Sequence, residues 1–270
     1  MGKGIFLKQP SLPETPDELR RLIRSGEWTG PTSGLAPGYV QANLAILPRE
    51  AALDFLIFCQ RNPKPCPLIE VVEEGSYEAA QIAPGSDLRT DLPSYRIFRN
   101  GKIVAEVGEI TAYWRDDLVS FLLGCSFTFE SALIRAGISL RHIEEAKIVS
   151  MYVTNIQTIR AGIFFGPLVV SMRPIPKDMV VKAVQITSRF PAAHGAPVHI
   201  GEPEAIGIND LSKSDYGDAV TIKEGEVPVF WACGVTPQAM SITSRPSLMI
   251  THSLGHMFIS DLLDGDLAVT

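Results

Sequence analysis

The sequence predicts a mixed α/β fold, of either the α/β or the α+β class. Three observations lead to this prediction. Helix-like and strand-like segments alternate along the chain, Asn100-Gly101 joins two alternating runs as in a β-hairpin, and the C-terminal part has the pattern strand, helix, strand. With 270 residues, 46% of them hydrophobic, the chain can bury a large core without disulfide bonds.

The N-terminal part is predicted to contain helices and one short strand. Thr15-Pro16-Asp17-Glu18 has the form of a capping box with proline at N1, so a helix is expected to run to about Gly26. Pro48 starts a second helix, and "LIEVV" is typical of a buried strand. The segments "RDDLVSFLLG" and "SFTFESALIRAG" both predict helices, the second closed by Gly137.

The middle of the chain is predicted to form two strands and a helix. "KIVSMYVTN" and "PLVVSMRPI" are apolar, β-branched runs, and "KDMVVKAVQITSRF" favours a helix. The chain is then rich in loop residues to about Val220. Breaks near residues 125–140 and near 220 are the expected domain boundaries.

The C-terminal part is predicted to be a βαβ unit. "VPVFWA" and "SLMIT" are apolar strands, and Thr236 and Pro237 suit the N-cap and N1 positions of a helix between them. Such a crossover would make the two strands parallel neighbours, with Cys233, Gly234 and His252 at one edge of the sheet. Ligands of open α/β sheets bind at that edge, and the free N–H groups at the helix start favour an anion.

The two histidines of "THSLGH" allow three interpretations: a metal site, a catalytic group, or structural residues. Their i, i+4 spacing occurs in metal sites, but Gly255 and the preceding strand differ from a helical H-E-x-x-H motif, so no metal is expected. We expect His252 to be the acid/base group and His256 to support it, with Cys233 in the same pocket. A buried, inert Cys233 stays an alternative.

The segment "DLRTDLPSYR" is the expected carboxylate-binding region. Arg89 and Arg96 carry planar forks that bind carboxylates in a bidentate manner, and Asp91 could hold an ammonium group. Alternatively, these side chains pair with one another in a solvated loop.

Two further stretches carry candidate substrate-binding residues. Cys125 and Ser126 lie where one predicted helix ends and the next begins, where a helix N-terminus lowers a thiol pKa or binds an anion. The alternative is that Ser126 is an N-cap above a packed cysteine. Asn155 lies in a polar break between apolar strands, which suggests a ligand-binding loop.

Charge and the N-terminus limit the classes of partner. A net charge of −6 argues against nucleic acid as a partner, whereas local arginines still allow a small anionic substrate. There is no apolar run of about 18 residues, so no membrane span is expected. The N-terminal segment "MGKGIFLKQPSLPETP" lacks a signal-peptide pattern, which predicts a cytosolic protein with free thiols. No cofactor is expected, and a homo-oligomer is left open.

Six stretches, in order along the chain, resemble the bacterial hydro-lyase family that is related to the mitochondrial D-glutamate cyclase of animals. They are "DLRTDLPSYRIFRNG", "FLLGCSFTFESAL", "YVTNIQT…FGPLVVSMRP", "GEPEAIGI", "WACGVTPQ" and "THSLGHMFISD". The resemblance implies a two-part α/β architecture with a smaller domain in the middle. We therefore expect a discontinuous main domain of residues 1–125 and 221–270 and an inserted domain of residues 126–220. The chain departs from the family pattern at Leu254, where proline is expected.

The resemblance also implies lyase chemistry that expels water, such as the cyclisation of D-glutamate to 5-oxo-D-proline. In that reaction His252, near the ordinary histidine pKa of about 6.5, would act as both base and acid. Arg89 or Arg96 would hold the α-carboxylate, and the helix start after Gly234 would stabilise the oxyanion. Two alternatives remain: a metal-assisted hydrolase or lyase that uses His252, His256 and either Asp261 or a thiol, and a non-catalytic binder of small acids.

Overall fold

The computed structural model describes residues 15–269, and these residues form six α-helices and eleven strands. The helices are α1 (Pro16–Arg24), α2 (Arg49–Arg61), α3 (Phe127–Arg135), α4 (Arg141–Glu144), α5 (Val180–Ser188) and α6 (Thr236–Ser244). The strands are β1 (Tyr39–Pro48), β2 (Leu68–Val72), β3 (Tyr95–Arg99), β4 (Lys102–Val107), β5 (Leu118–Gly124), β6 (Ser150–Gln157), β7 (Pro167–Pro176), β8 (His199–Ile200), β9 (Glu226–Ala232), β10 (Met249–His252) and β11 (Phe258–Leu263).

The first sheet has seven strands in the order β2-β5-β1-β10-β3-β4, with β11 also paired to β1. The ten-residue strand β1 is its centre. One edge of β1 pairs along its length with β5, and the other edge pairs with β10 and then with β11. Nine successive residues of β1 are buried, as expected for a strand that is covered on both faces.

The second sheet has four strands in the order β6-β7-β9-β8. Its central strands β7 and β9 are paired over seven residues, from Val170 with Ala232 to Pro176 with Glu226. All pairings in both sheets are antiparallel.

A buried ion network fixes α3 against the second sheet. Arg173 of β7 is fully buried and donates through Nε to Glu130 Oε1 of α3 at 2.9 Å. Its other nitrogens donate to Ser171 Oγ at 3.0 Å and to Ser126 Oγ at 2.9 Å. His142 Nε2 lies 3.3 Å from Glu130. Because Glu130 has several partners, its burial is compensated, and the start of α3 is held in place.

The predicted mixed α/β class is confirmed, and so are most of the predicted elements. Helix α1 begins at Pro16, although the Thr15 hydroxyl donates to the Glu18 carboxylate instead of capping a backbone N–H. The hairpin turns at Asn100-Gly101, and both residues have positive φ angles, 50° and 79°. Helix α3 is followed by Gly137 with φ 84°, a conformation that favours glycine.

One helix prediction was wrong: "RDDLVSFLLG" forms strand β5. Its apolar run packs between β2 and β1, where both faces are covered, so the run is continuous instead of alternating. A short continuous apolar run does not by itself distinguish a buried helix from a buried strand.

The predicted C-terminal βαβ unit was also wrong in its pairing. The order strand, helix, strand is present, as β9, α6 and β10, but β9 belongs to the second sheet and β10 to the first. Helix α6 therefore crosses from one sheet to the other, and the two strands are not parallel neighbours. The Thr236 N-cap is displaced by one residue, because Val235 precedes a helix that starts at Thr236.

The two sheets are built from different parts of the chain. The first takes its strands from residues 39–124 and 249–263, and the second from residues 150–232. Strand β9, which the predicted division assigned to the main domain, thus pairs within the second sheet. The domain boundaries at 125/126 and 220/221 stay a prediction. Within residues 15–269, the helices are too short or too polar to span a bilayer.

Candidate active site

His252 is the last residue of β10, and His256 lies in the loop that follows it at the edge of β1. Ala45 pairs with Thr251 and Ala42 pairs with Phe258, so three steps along β1 are matched by seven steps along β10 and β11. The chain between β10 and β11 is therefore four residues longer than a continuous strand would be. Gly255, with φ 77°, allows the backbone to turn within it. We call Ser253–Met257 the histidine loop.

The side chain of His252 bonds to the backbone of β1 where the pairing between β10 and β1 ends. His252 Nδ1 lies 3.1 Å from the Leu44 nitrogen of β1 and 3.4 Å from Leu44 O. The shorter contact has the Leu44 N–H donating to Nδ1, and on this basis we assign the proton of the neutral ring to Nε2. The ring hydrogen bonds of His252 within residues 15–269 are made by Nδ1, and none involves Nε2. Burial lowers the pKa of His252 to about 4, and positive charge at His256 and Arg96 acts in the same direction. His252 is thus a neutral hydrogen-bond donor at neutral pH, and the premise that its pKa is near 6.5 was wrong.

His256 is half-buried and has the opposite tautomer. Its Nδ1 lies 2.8 Å from Leu254 O, and because a carbonyl only accepts, Nδ1 carries the proton. This leaves the lone pair of Nε2 available to accept a proton.

Arg96 and Gln238 connect the end of β10 to α6. Gln238 Nε2 donates to His252 O at 3.0 Å, and Gln238 Oε1 lies 3.4 Å from Arg96 Nη1. Arg96 is 19% exposed and pairs through Nε with Glu106 at 3.2 Å, which leaves Nη2 free of partners within the described chain. Because Arg96 of β3 pairs in register with Thr251, this planar cation lies beside the end of β10 that carries His252.

Cys233, which follows β9, and Tyr216, which forms an isolated bridge with Met151 of β6, lie in the same region. Both pack in one apolar cluster with Leu254 of the histidine loop. Burial raises the pKa of Tyr216, while Arg96 lowers it and Cys233 raises it, so the phenol lies within electrostatic reach of both. We name Arg96, Tyr216, Cys233, Gln238, His252 and His256 the strand-end cluster.

Asn43 of β1 contacts both the Gly124-Cys125 turn and the Cys233-Gly234 turn. Its Nδ2 donates to Gly124 O at 2.8 Å, one residue before Cys125. On the other side, a Cβ atom at Gly234 would overlap the Asn43 amide. Gly234 is therefore required for close approach to a protein side chain, whereas the sequence analysis expected a ligand there.

The two cysteines are close together but are not thiolates. Burial raises the pKa of Cys125 to about 12 and that of Cys233 to about 11, although the Phe127 and Val235 N–H groups act in the opposite direction. The expectation that a helix N-terminus would lower the pKa of Cys125 was wrong, because desolvation outweighs the helix start.

Several predicted site residues are engaged elsewhere. Arg89 pairs with Asp87 at 2.7 Å and stacks on the Tyr77 ring, and Asp91 is fully buried against Arg24. Asn155 is exposed near the end of β6. The predicted carboxylate-binding segment thus supplies Arg96 to the strand-end cluster, whereas Arg89 and Asp91 are paired elsewhere.

Ser126 and Thr236 serve the fold with their hydroxyl groups. The Ser126 hydroxyl accepts from Arg173, and Thr236 Oγ1 donates to Cys233 O at 2.7 Å and accepts from the Val169 N–H at 3.1 Å.

Sequence reasoning missed Asn43, Tyr216 and Gln238. An asparagine inside the apolar run "YVQANLAILP" was a usable signal, because a polar residue in a buried strand needs a specific partner. Tyr216 lies in an irregular stretch that gave no such signal.

The lowered pKa of His252 predicts a loss of stability in acid. The folded protein binds this proton less well than the unfolded chain, so the stabilisation is present above about pH 6.5 and disappears as the pH falls towards 4. In His252→Asn the amide oxygen can still accept from the Leu44 N–H. In the parent protein, protonation of His252 should lower the unfolding free energy by about 3 kcal/mol between pH 7 and pH 4. This part of the pH dependence should be absent in the variant. Urea unfolding at both pH values measures it.

The remaining acid dependence is expected to include His194, whose pKa burial also lowers to about 4. An unchanged difference between pH 7 and pH 4 in His252→Asn would contradict a buried, neutral His252.

The geometry describes an α/β protein with a polar cluster, containing an arginine and two histidines, where its two sheets meet. Residues 119–261 match the family model described as "D-glutamate cyclase", which is more than half of the chain. The chain belongs to the D-glutamate cyclase family.

Bacterial relatives match nearly the whole chain. A protein of Thermoanaerobacter sp. (strain X514) named "Putative hydro-lyase" is 64% identical over 94% of this chain and 96% of its own length. Proteins of the same name from Geobacillus kaustophilus (60% identical, covering 95% and 98%) and Bacillus subtilis (58%, covering 94% and 99%) are also similar. The family and these names support a lyase.

A solved structure, of a nitrogen repressor-like protein from Methanococcus jannaschii, matches with a TM-score of 0.38 and 10% identity over 90% of this chain and 97% of that one. A likeness this weak indicates neither fold nor function.

Proposed function

We propose that this lyase cyclises D-glutamate to 5-oxo-D-proline with loss of water, and that the strand-end cluster is its active site. The observation that carries the proposal is the pair of contacts that orient the two rings, from which we assign opposite tautomers. His252 presents an N–H, and His256 presents a lone pair, beside Arg96. Family membership supports the reaction class.

The reaction needs three functions from the protein. The α-ammonium group must lose a proton before its nitrogen attacks the γ-carboxyl carbon. The new C–N bond creates a tetrahedral centre whose oxygen carries negative charge. The nitrogen then gives up a second proton, one γ-oxygen takes up both protons, and the C–O bond breaks so that this oxygen leaves as water.

Arg96 suits the binding of the α-carboxylate. Its free Nη2 and its weakly held Nη1 provide two adjacent N–H donors, the geometry that a carboxylate binds best. Its partial burial strengthens this contact relative to a fully exposed arginine.

His256 suits proton transfer, and His252 suits charge stabilisation. His256 Nε2 takes the two protons of the nitrogen one after the other and passes each to the oxygen that leaves as water. The His252 Nε2–H donates to the developing oxyanion, and its low pKa keeps it a neutral donor throughout. This reverses the roles that the sequence analysis expected for the two histidines.

The start of α6 adds to the stabilisation of negative charge. Gln238, in its first turn, is bonded to the His252 carbonyl, so the positive end of the helix dipole lies at the strand-end cluster. The neutral thiols of Cys125 and Cys233 shape the site and take no part in the proton transfers.

The metal-assisted alternative named Asp261 or a thiol as the third group, and Asp261 is engaged elsewhere. Asp261 binds Arg20 through both carboxylate oxygens, at 2.9 and 3.2 Å. Within residues 15–269, groups of three or more histidine, cysteine or acidic side chains in a metal-binding arrangement do not occur.

The test is an assay of both directions of the reaction. The purified protein is incubated with D-glutamate, L-glutamate or 5-oxo-D-proline, and both species are followed by proton NMR. We expect interconversion of D-glutamate and 5-oxo-D-proline. No conversion in either direction, with D-glutamate still bound, would favour the non-catalytic binder.

Arg96→Gln is expected to raise KM for D-glutamate by about ten-fold to about one hundred-fold, with a smaller change in kcat. Loss of a charge-assisted contact costs about 1.5–3 kcal/mol, and the contact is made in both the ground state and the transition state. Steady-state kinetics measure both constants.

Arg89→Gln is the matched control, since Arg89 lies in the same segment but pairs with Asp87. Equal increases in KM for the two variants would contradict the assignment of Arg96.

A further inference from the structure

A cavity lies between the loop before β1 and helix α3. Its volume is about 160 Å³, and its lining shares no residue with the strand-end cluster. Most of the wall is apolar, with Leu35, Pro37 and Phe127 among the contributing residues, and Ile134 and Ile143 stand near its opening as exposed side chains. The polar lining includes Gln41, Glu130 and Asp264.

Gln41 contributes an unused acceptor. Its Nε2 donates to two carbonyl oxygens, Thr32 O at 2.8 Å and Leu35 O at 3.0 Å, which fixes the orientation of the amide. The opposite atom, Oε1, is buried and has no hydrogen-bond partner within residues 15–269. A buried acceptor without a hydrogen bond lowers the stability of the fold by about 1–3 kcal/mol unless a donor binds to it.

Asp264 contributes a second unused acceptor. Its side chain is 5% exposed, and Oδ1 is buried without a partner in the described chain. Burial raises the pKa of Asp264 to about 6, although the Ser131 hydroxyl and the Arg135 charge act in the opposite direction. An ionised carboxylate here is poorly compensated by the protein itself.

The two free oxygens are acceptors, so a ligand that binds them must donate hydrogen bonds. An anion would meet no free donor at Gln41 or Asp264, and Glu130 would repel it. A hard metal ion needs about six oxygen ligands, more than these side chains supply, and does not suit an apolar wall. A primary ammonium group carries three donors, and an attached alkyl chain fits the apolar wall.

We propose that this cavity is a binding site for a small primary alkylammonium ion, whose ammonium group is held by Gln41 and Asp264 and whose alkyl chain packs on Phe127. The site is separate from the strand-end cluster, and the proposal does not depend on the cyclase reaction.

The site is also linked to the histidine loop. Thr32, whose carbonyl accepts from Gln41, donates through its backbone N–H to Gly255 O at 2.8 Å. A chain of hydrogen bonds thus joins Gln41 to Gly255, the residue before His256.

The test uses n-butylammonium chloride as the probe at pH 7.5 and constant ionic strength. Thermal unfolding and saturation-transfer NMR measure its binding, with n-butanol and tetramethylammonium chloride as comparison compounds. We expect n-butylammonium to raise Tm with concentration, because it binds the folded state. The butanol lacks the charge and tetramethylammonium lacks N–H donors, so both should bind at least ten-fold more weakly.

Asp264→Asn should weaken n-butylammonium binding at least ten-fold. Gln41→Met, which keeps the length of the side chain, should do the same and provides a second test if the first variant folds poorly. Asp178→Asn removes the same charge at an exposed position outside the cavity and should bind like the parent protein. Binding of butanol as tight as that of butylammonium, or unchanged binding in a folded Asp264→Asn, would overturn the proposal.

Discussion

His256→Gln is expected to reduce kcat for cyclisation by about 10²-fold to 10⁴-fold, the usual contribution of a general acid–base residue. The imidazole is oriented by its Nδ1–H bond to Leu254 O, so that Nε2 is the atom that exchanges the proton. A glutamine amide can occupy similar space but cannot take up a proton near neutral pH. Because the ring is half-buried at the edge of the loop, the fold should be retained.

His252→Asn is the comparison that distinguishes the two histidines. It retains an acceptor for the Leu44 N–H and removes the Nε2–H donor. It should lower kcat by roughly 10²-fold to 10³-fold, as for the loss of one oxyanion donor, with a pH profile of kcat unchanged in shape. In His256→Gln, by contrast, the limb of the profile that reports the base should disappear.

Thermal melts of both variants show whether the loss is chemical or structural. Full activity of His256→Gln together with a large loss in His252→Asn would restore the assignment that the sequence suggested. Loss of a stoichiometric metal ion from either variant would favour the metal-assisted alternative.

Arg173→Met is expected to lower the free energy of unfolding by about 3–5 kcal/mol, because it leaves a buried carboxylate without its main partner. Burial alone would raise the pKa of Glu130, but Arg173 and His142 hold that pKa below its ordinary value. Without Arg173, the carboxylate retains His142 at 3.3 Å. Urea unfolding at pH 7 measures the change.

The double variant Glu130→Gln, Arg173→Met is the matched control. Removing both charges avoids the unpaired carboxylate, so the loss should be clearly smaller than in Arg173→Met alone. Arg115→Met, which breaks an exposed pair with Asp117, should cost at most about 1 kcal/mol. A double variant as unstable as Arg173→Met would show that packing of the Arg173 side chain, and not its charge, dominates.

The sequence was most informative where local chemistry decides the structure. The Asn100-Gly101 turn, the proline at the start of α1 and the glycine after α3 each have a short-range physical cause, and all three are confirmed. The strand β5 was mistaken for a helix because a buried run of apolar residues lacks the periodicity that separates the two.

Pairing between distant segments was harder to predict. The strand–helix–strand order at the C-terminus suggested parallel neighbours, but nothing in the sequence shows that α6 crosses between sheets. Gly234 and His252 nevertheless contact adjacent residues of β1, Asn43 and Leu44, so they come together by a route that the sequence did not indicate.

The chemistry of the site depends on which side chains are buried, and the amino-acid composition does not show this. Arg89 and Arg96 looked equivalent, and they are distinguished by Asp87 beside one and the end of β10 beside the other. The pKa values of His252 and Cys125 moved in directions set by desolvation, and desolvation is a property of the folded interior.

Strands β10 and β11 both pair with β1 and are separated by the histidine loop, and this arrangement has a consequence for engineering. Each strand is anchored to β1 by its own register, so the segment between Thr251 and Phe258 is a cassette with two fixed ends. Loops that keep His252 and His256 but differ in length and in their other residues could be exchanged there while the sheet stays in place, because the added closure entropy grows slowly with length. New substrate preferences could thus be selected from libraries confined to this cassette, with the rest of the scaffold unaltered.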